Sequence, residues 1–577
     1  MSVAIPRERD IDAPAPGARR IYVIFAGTAV FASRKAESFF AGLAQPDLVQ
    51  TAVLRDAVVG PNVESVFGAA HGFSSVSSVA DYRAAVPIRK YADLSPWIDR
   101  VVGGEQGVLT TERVKRFFMT SGSTSTAKYI PVTRSFIQTK SQAFGIYWAQ
   151  VFGAHPKAKA GRMVTNFSDS GAPGKAPGSG LPAGSESSYW AQVTRATQLS
   201  TRPIIPKHIA KIADSDSRYY TLARILLEES FSVIMTLNPS TIVLLFSKLE
   251  AFAEDLARDV AQGGLGDRPN VSDEVRAYIK ETYTGDPERA AAITELASGE
   301  GGIAAHRLWP DLSLAICWRS PMLQSYLDLL APHFSTTVAQ RDYMMMASEG
   351  IMAIPVQDNE SGGVCAVGLH FYEFVPEAEY EDDDPTVLSP HELEVGGRYV
   401  VILSNGSGLY RYDIGDVVRV TGFVERTPKF EFLHRAGRTC SLTGEKLTED
   451  QVSAAMGDVS KTLDLPMVSF TMAPAASGFP RYVALVEFSA DVDDGTLKRF
   501  SAVLDDALAR HNGEYGGKRS SQRLEAPELA VVAPGSFEAW RRQRTADTTS
   551  DSQVKPMHLT RDASIAEQFE VRQRFGT

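Results

Sequence analysis

The chain has 577 residues, 44% of them hydrophobic and 22% charged, an ordinary globular composition in a chain too long for a single core. Its formal net charge of −10, with no basic cluster to offset it, argues against a nucleic-acid partner. Cys317, Cys365 and Cys440 lie far apart with no CxxC spacing, which gives no basis for a disulfide framework or a zinc site.

Residues 1–20 are rich in Pro, Ala and charge and lack an apolar h-region, so they read as a flexible leader and not a signal peptide. The apolar run Ile21 to Phe31 is too short to span a membrane, and the expected location is the cytoplasm, with no membrane partner. Residues 21–56 read as largely helical. Tyr91 to Ile98 reads as a short helix. His71 sits between small residues without a partner at metal-ligand spacing, which points to a structural or capping role.

The apolar run Phe117-Phe118-Met119 then enters Thr120-Ser121-Gly122-Ser123-Thr124-Ser125-Thr126-Ala127-Lys128. Such a loop offers backbone N–H groups and hydroxyls to a polyphosphate, with a cation at its end. It is not a Walker A loop, because no glycine precedes Lys128. Taken alone, a loop of this composition is more often a solvated turn between a strand and a helix. A helical pattern starts near Thr133 and carries Phe136, Phe144, Tyr147 and Trp148, a stripe that is usually core.

Residues 166–190 form a long Gly, Pro and Ser-rich stretch ending in Tyr189-Trp190, and loops of that length inside a domain are often functional. Tyr219 to about Ala261 reads as helical, interrupted at Asn238-Pro239, with Ser240 as a capping candidate. Val271 to Leu296 continues the helical pattern. Strand-like runs follow at 312–318, 336–340, 368–375, 398–403 and 430–434, and Leu409 to Val420 reads as a tight turn entering another strand. The acidic run Glu379 to Asp384 reads as a solvated loop. Strands at 467–474, 481–489 and 528–533 with a helix near 495–511 make a compact α+β unit. The polar junction starting at Arg435 marks a boundary near residue 437.

Four segments coincide in order: Thr-Ser-Gly-Ser-Thr-Ser-x-x-Lys at 120–128, Ala-Ser-Glu-Gly at 347–350, Tyr-Arg-Tyr-x-Ile-Gly-Asp at 410–416 and Gly-Glu-Lys-x-x-Glu at 444–449. With His71-Gly72-Phe73, Asp81-Tyr82-Arg83, Val86-Pro87-Ile88, Tyr91, Asn512, Tyr515 and Gly535-Ser536-Phe537, they resemble the plant-type, auxin-responsive acyl acid-amido synthetases of the Gretchen Hagen 3 family. These belong to the wider acyl-adenylate-forming superfamily. Each motif is weak alone; their order and spacing over most of the chain are specific.

The resemblance implies an α/β fold of acyl-adenylate-forming architecture. A large multi-sheet N-terminal domain (21–436) would bind nucleotide and acyl group, and a small mobile α+β C-terminal domain (437–577) would close over the site. It implies an ATP- and Mg2+-dependent ligase, expected to be a monomer, whose partners are a small-molecule carboxylic acid and an amine, commonly an amino acid. Thr120, Ser121, Gly122, Ser123 and Thr124 would hold phosphates, assisted by Lys128. Glu349 would face magnesium, Asp416 the ribose hydroxyls, and Met345, Ala347, Ser348 and Arg435 other parts of the nucleotide. Lys446 would reach the nucleotide from the hinge, and Lys555 would meet the α-phosphate on closure. For the acyl pocket, Tyr147, Trp148, Tyr189 and Tyr220 would suit an aromatic or amphipathic acid, although all four also suit a core.

The sequence departs from the family pattern twice. Met345 stands where the family has an adenine-stacking tyrosine, with Tyr343 two residues earlier. The late Gln-x-Lys-x-Pro-Arg is here Gln553-Val554-Lys555-Pro556-Met557. Two other readings stay open at this point: an acyl-CoA ligase using a thiol acceptor, and a non-catalytic nucleotide-binding relative. A phosphotransferase is disfavoured by the lack of a Walker or kinase lysine context.

Overall fold

The computed structural model describes residues 34–120, 128–165, 174–190, 204–212, 214–298, 303–334, 336, 338–436, 439–440, 442, 445, 447–476, 480–520, 524–545 and 557–576. The expected leader and apolar run (1–31) lie outside these residues. So do Ser121, Gly122, Ser123, Thr124, Lys446, Lys555 and the first part of the 166–190 stretch.

Hydrophobic burial divides the described chain between residues 436 and 440. Three apolar clusters draw only on residues up to 436, and two draw only on residues from 440 onward. In the first part, a small sheet is built from β1 (Arg116–Thr120), β2 (Lys128–Val132), β4 (Gly174–Lys175) and β5 (Pro182–Gly184) in the order β2-β1-β5-β4. A parallel sheet takes β3 (Met163–Val164), β6 (Val233–Met235), β7 (Leu314–Cys317) and β8 (Ala339–Asp342) in chain order. A seven-stranded sheet follows from β9 (Met345–Ala347), β10 (Gly350–Ile354), β11 (Gly363–Cys365), β12 (Phe371–Pro376), β13 (Arg398–Ser404), β14 (Tyr412–Val424) and β15 (Thr427–Arg435). Its order is β12-β13-β14-β15-β11-β10-β9, with neighbours antiparallel. Short strands β16 (Thr439–Cys440) and β17 (Leu447–Thr448) pair with each other after residue 436. The last sheet joins β18 (Met467–Pro474), β19 (Tyr482–Phe488), β20 (Glu528–Val532) and β21 (Val571–Phe575) in chain order. The whole is a mixed α/β fold.

Most expected elements are present. The helix after β2 runs Arg134–Ala154, and its N-cap Thr133 accepts the Phe136 N–H. The helical reading of 219–261 misses β6. A three-residue strand buried between parallel neighbours shows an unbroken apolar run, Val233-Ile234-Met235, that looks like more helix. Ser240 falls inside the helix, which starts at Pro239, and not ahead of it. All three cysteines are buried and unpaired. His71 ends the helix Val66–Ala70. Its Nδ1 lies 2.7 Å from the Phe67 carbonyl and its Nε2 lies 2.9 Å from Arg89, a structural role. No helix among the described residues is long and apolar enough to cross a membrane.

Candidate active site

The small sheet and the seven-stranded sheet bring charged residues near one another here: Lys128 of β2 is coupled electrostatically to Glu349, Asp413, Asp416 and Arg435. β1 ends at Thr120 and β2 begins at Lys128, so the two strands flank the hydroxyl-rich loop from both sides, in register Thr120↔Lys128. The Tyr91 hydroxyl accepts the Tyr129 N–H at 2.8 Å, and the Lys128 ammonium lies 5.3 Å from the Tyr91 ring. The early segment thus braces the end of the loop. Lys128 is half-buried, and burial lowers its pKa against the pull of Glu349, Asp413 and Asp416.

The turn between β9 and β10 carries Ser348 and Glu349. Glu349 is buried, and its pKa is raised: desolvation outweighs Arg435 and Lys128. The Tyr412 hydroxyl lies 3.5 Å from its Oε1, a long contact, and the Asn405 amide donates to its backbone carbonyl at 2.9 Å. The space beside Gly350 is tight: a Cβ there would come within 2.9 Å of the Leu403 side chain and 3.0 Å of His370, which would have to shift. Burial pushes His370 down to about 3, so its ring is neutral.

Asp416 enters from β14 directly opposite Arg435 of β15. The Arg435 Nε stands 3.0 Å from Asp416 Oδ1, an ion pair whose angles do not make a hydrogen bond. Oδ1 is therefore buried without a hydrogen-bond partner among the described residues. Asp416 raises the Arg435 pKa, with Glu349 adding to it, and Arg435 also donates to the Ile414 carbonyl at 2.6 Å.

The turn ahead of Asp416 is held in an uncommon shape. Gly415 has φ +74° and Arg411, which is not glycine, has φ +45°. Arg411 is locked by Glu373, whose two oxygens take Arg83 Nε and Arg411 Nε at 2.8 Å each. Tyr82 donates to Ser404 at 3.0 Å, and Ser404 Oγ accepts the Arg411 N–H at 2.9 Å. The Asp81-Tyr82-Arg83 segment, which carries no chemistry of its own, thus fixes the turn that aims Asp416.

The structure brings Lys128, Glu349, Asp416 and Arg435 together. Met345 and Ala347 lie half-buried on β9, and Ser348 is half-buried in the turn. Tyr343 is buried with its ring edge-on to Tyr147 at 5.7 Å, so it stays in the core and does not substitute for Met345. Trp148 and Tyr189 are half-buried. Trp148 stacks on Phe152 at 5.1 Å, and the Arg116 guanidinium covers Tyr189 at 4.3 Å. Tyr147 is fully buried and donates to the Asp342 carbonyl at 2.9 Å. Tyr220 belongs to another core, its hydroxyl 2.6 Å from Asp259. Of the four aromatic candidates, Tyr147 and Tyr220 are thus core residues, placed there by hydroxyl partners that no sequence pattern reveals.

Beyond residue 436, several described residues are held by buried carboxylates. Buried Glu445 accepts the Leu442 N–H at 2.7 Å and the Tyr482 hydroxyl, while Asn512 donates to the Glu445 carbonyl at 3.0 Å. Buried Glu449 accepts the His558 N–H at 2.7 Å. Gly535 and Phe537 donate their N–H groups to Glu487 at 2.8 and 3.0 Å.

The sequence reading passed over Lys140, Glu186 and Asn405. Lys140 carried a signal: with Phe136, Ala143 and Tyr147 it falls on the buried stripe of its helix, where a cation needs a partner. Glu186 and Asn405 carried none. No group of three or more His, Cys, Asp or Glu placed to hold a metal occurs among the described residues.

Comparison with family models matches residues 36–338 to the GH3 family N-terminal domain, 363–435 to the GH3 family central domain and 450–564 to the GH3 family C-terminal domain. Among curated proteins, the chain is 26% identical over 494 residues to indole-3-acetic acid-amido synthetase GH3.10 of Arabidopsis thaliana, covering 79% of this chain and 82% of that protein. It is 25% identical over 503 residues to jasmonoyl–L-amino acid synthetase GH3.5 of Oryza sativa subsp. japonica, covering 81% and 84%. Among solved structures, GH3.15 acyl acid amido synthetase matches with a TM-score of 0.79 at 19% identity, over 93% of this chain and 96% of that one, a likeness of fold.

Proposed function

The chain belongs to the GH3 family, and on that premise we propose that it is an ATP-dependent ligase joining a small-molecule carboxylic acid to an amine, commonly an amino acid. The acid's oxygen attacks the α-phosphate of ATP, giving an acyl-adenylate and pyrophosphate. The amine then attacks the acyl carbon, and amide and AMP leave. A free carboxylate is a poor acyl donor, and adenylation supplies the leaving group. What remains for the protein is to place the reactants and offset phosphate charge.

The observation that carries this reading is the meeting of Glu349, Lys128 and the Asp416–Arg435 pair beside the loop 120–128. The Asp416 carboxylate, held by Arg435, suits donors such as ribose hydroxyls. Thr120, Ser121, Gly122, Ser123 and Thr124 cradle phosphates with Lys128, and Met345, Ala347 and Ser348 border the base. Glu349 is a single buried hard-oxygen donor. That fits Mg2+, which keeps waters and phosphate oxygens as its other ligands and offsets phosphate charge when bound. Lys446 approaches the nucleotide and Lys555 the α-phosphate. We take 21–436 and 437–577 as the two working parts, the second closing on the first. Trp148 and Tyr189 wall the acyl pocket. The working unit is a monomer in the cytoplasm.

The test is AMP release from ATP and Mg2+ over carboxylic acids crossed with amino acids, CoA and no acceptor. AMP formed only with acid plus amine, with the matching amide mass, supports the ligase. AMP that requires CoA as acceptor would replace it with an acyl-CoA ligase.

A further inference from the structure

Lys140 is fully buried, and all three of its ammonium donors are used. Its Nζ is 2.7 and 2.8 Å from the two oxygens of Glu186 and 2.6 Å from the Ala347 carbonyl. Glu186 in turn accepts the Trp190 indole N–H at 2.9 Å, beside Tyr189. The cation thus joins three elements that are distant in sequence: the helix Arg134–Ala154, the turn of helix at 186–190 and strand β9.

Its third contact falls at a sensitive place. Ala347 is the last residue of β9, two positions before Glu349. Lys140 holds the turn at its entry and Asn405 holds it at the Glu349 carbonyl, 2.9 Å away. A buried ion pair is poor economy if stability alone is at issue, because an apolar pair of similar volume is often as stable or more so. What the pair adds is direction. A lysine and a carboxylate at hydrogen-bonding distance fix one carbonyl in one place, which apolar packing does not do.

We propose that Lys140 and Glu186 are positioning residues for the ligase reaction: they clamp the β9–β10 turn so that the Glu349 carboxylate stands where magnesium and the ATP phosphates are received, and they tie that turn to the aromatic wall at 189–190. The proposal rests on the ligase reading. Neither residue touches substrate; both act through Ala347 and Trp190.

The single variant Lys140→Met leaves the Glu186 charge buried and unpaired, so its loss of fold would say nothing about position. The informative variant is Lys140→Met with Glu186→Leu, which replaces the pair by apolar groups, alongside Lys140→Arg, which keeps the charge in a different shape. Two readouts are taken besides the thermal midpoint: calorimetric titration of Mg2+ into enzyme with a non-hydrolysable ATP analogue, and kcat and KM for ATP–pyrophosphate exchange. The double variant is expected to stay folded while Mg2+ half-saturation rises about tenfold or more, as for supports one step removed from a metal ligand. Exchange kcat is expected to fall by about tenfold to a hundredfold, the effect of a misplacement near 1 Å, with KM for the acid changed less. Lys140→Arg should fall between parent and double variant. A folded double variant with the parent's Mg2+ half-saturation and kcat would overturn the clamp. A parent that binds Mg2+ and nucleotide but shows no acid-dependent exchange would instead overturn the ligase reading, and the titration alone would then decide whether the clamp positions Glu349.

Discussion

Asp416→Asn isolates the carboxylate proposed to receive the ribose. The substitution keeps size and removes charge. In the structure Asp416 is buried, its Oδ1 has no hydrogen-bond partner among the described residues, and Arg435 stands 3.0 Å away as an ion-pair partner. A carboxylate can accept both ribose hydroxyls, and each hydrogen bond to a charged group contributes about 1.5–3 kcal/mol. Asparagine keeps one acceptor and turns an amide NH2 toward the other hydroxyl. One charged hydrogen bond is lost, so KM for ATP should rise about 10- to 150-fold at 1.36 kcal/mol per decade. The fold should tolerate the change, because the Arg435 side chain is 33% exposed and water can replace its lost partner. The assay is pyrophosphate exchange with ATP varied at saturating acid, with calorimetric binding of an ATP analogue and a thermal midpoint as controls. A folded variant whose KM stays within about threefold would refute the placement, because even a net loss of about 1 kcal/mol exceeds that change.

Glu373→Ala leaves the buried Arg411 guanidinium without its carboxylate, and unfolding in urea should show a loss of about 3–5 kcal/mol; a loss below about 1 kcal/mol would mean that the carboxylate does not hold the Arg411 turn. His434 is buried, and although burial alone would lower its pKa, Glu377 at 3.0 Å, Asp450 at 3.4 Å and the Arg435 carbonyl outweigh it, so the value is raised. The stability advantage of the parent over His434→Gln should thus be complete below the unfolded histidine value of about 6.5 and disappear as pH rises through the higher folded value, read from urea midpoints across that range. An advantage that grows with pH contradicts the assignment. Lys555→Ala should leave ATP binding intact while slowing adenylation; weakened binding with unchanged exchange kcat would reverse its role.

The late strands at 467–474, 482–488 and 528–532 and the helix Asp494–His511 were legible because each has its own apolar period and clear ends. The strand Val233–Met235 was not, since a short strand buried on both sides has no alternation to show. The site divides in the same way. Glu349, Asp416 and Lys128 were named from the order of short motifs, because each lies in a local stretch whose glycine or hydroxyl content has a local cause: the crowded Cβ position at Gly350, or the positive φ of Gly415. What a side chain touches across hundreds of residues has no such local trace. Arg83 and Arg411 share Glu373, Lys140 reaches Glu186 and Ala347, and Tyr220 turns away to Asp259. Residue order alone shows which residues bear charge and where segments with a clear apolar period make their strands, helices and turns. Only tertiary packing decided which charges are buried opposite one another, because desolvation and pairing depend on distances that the chain sets when it folds.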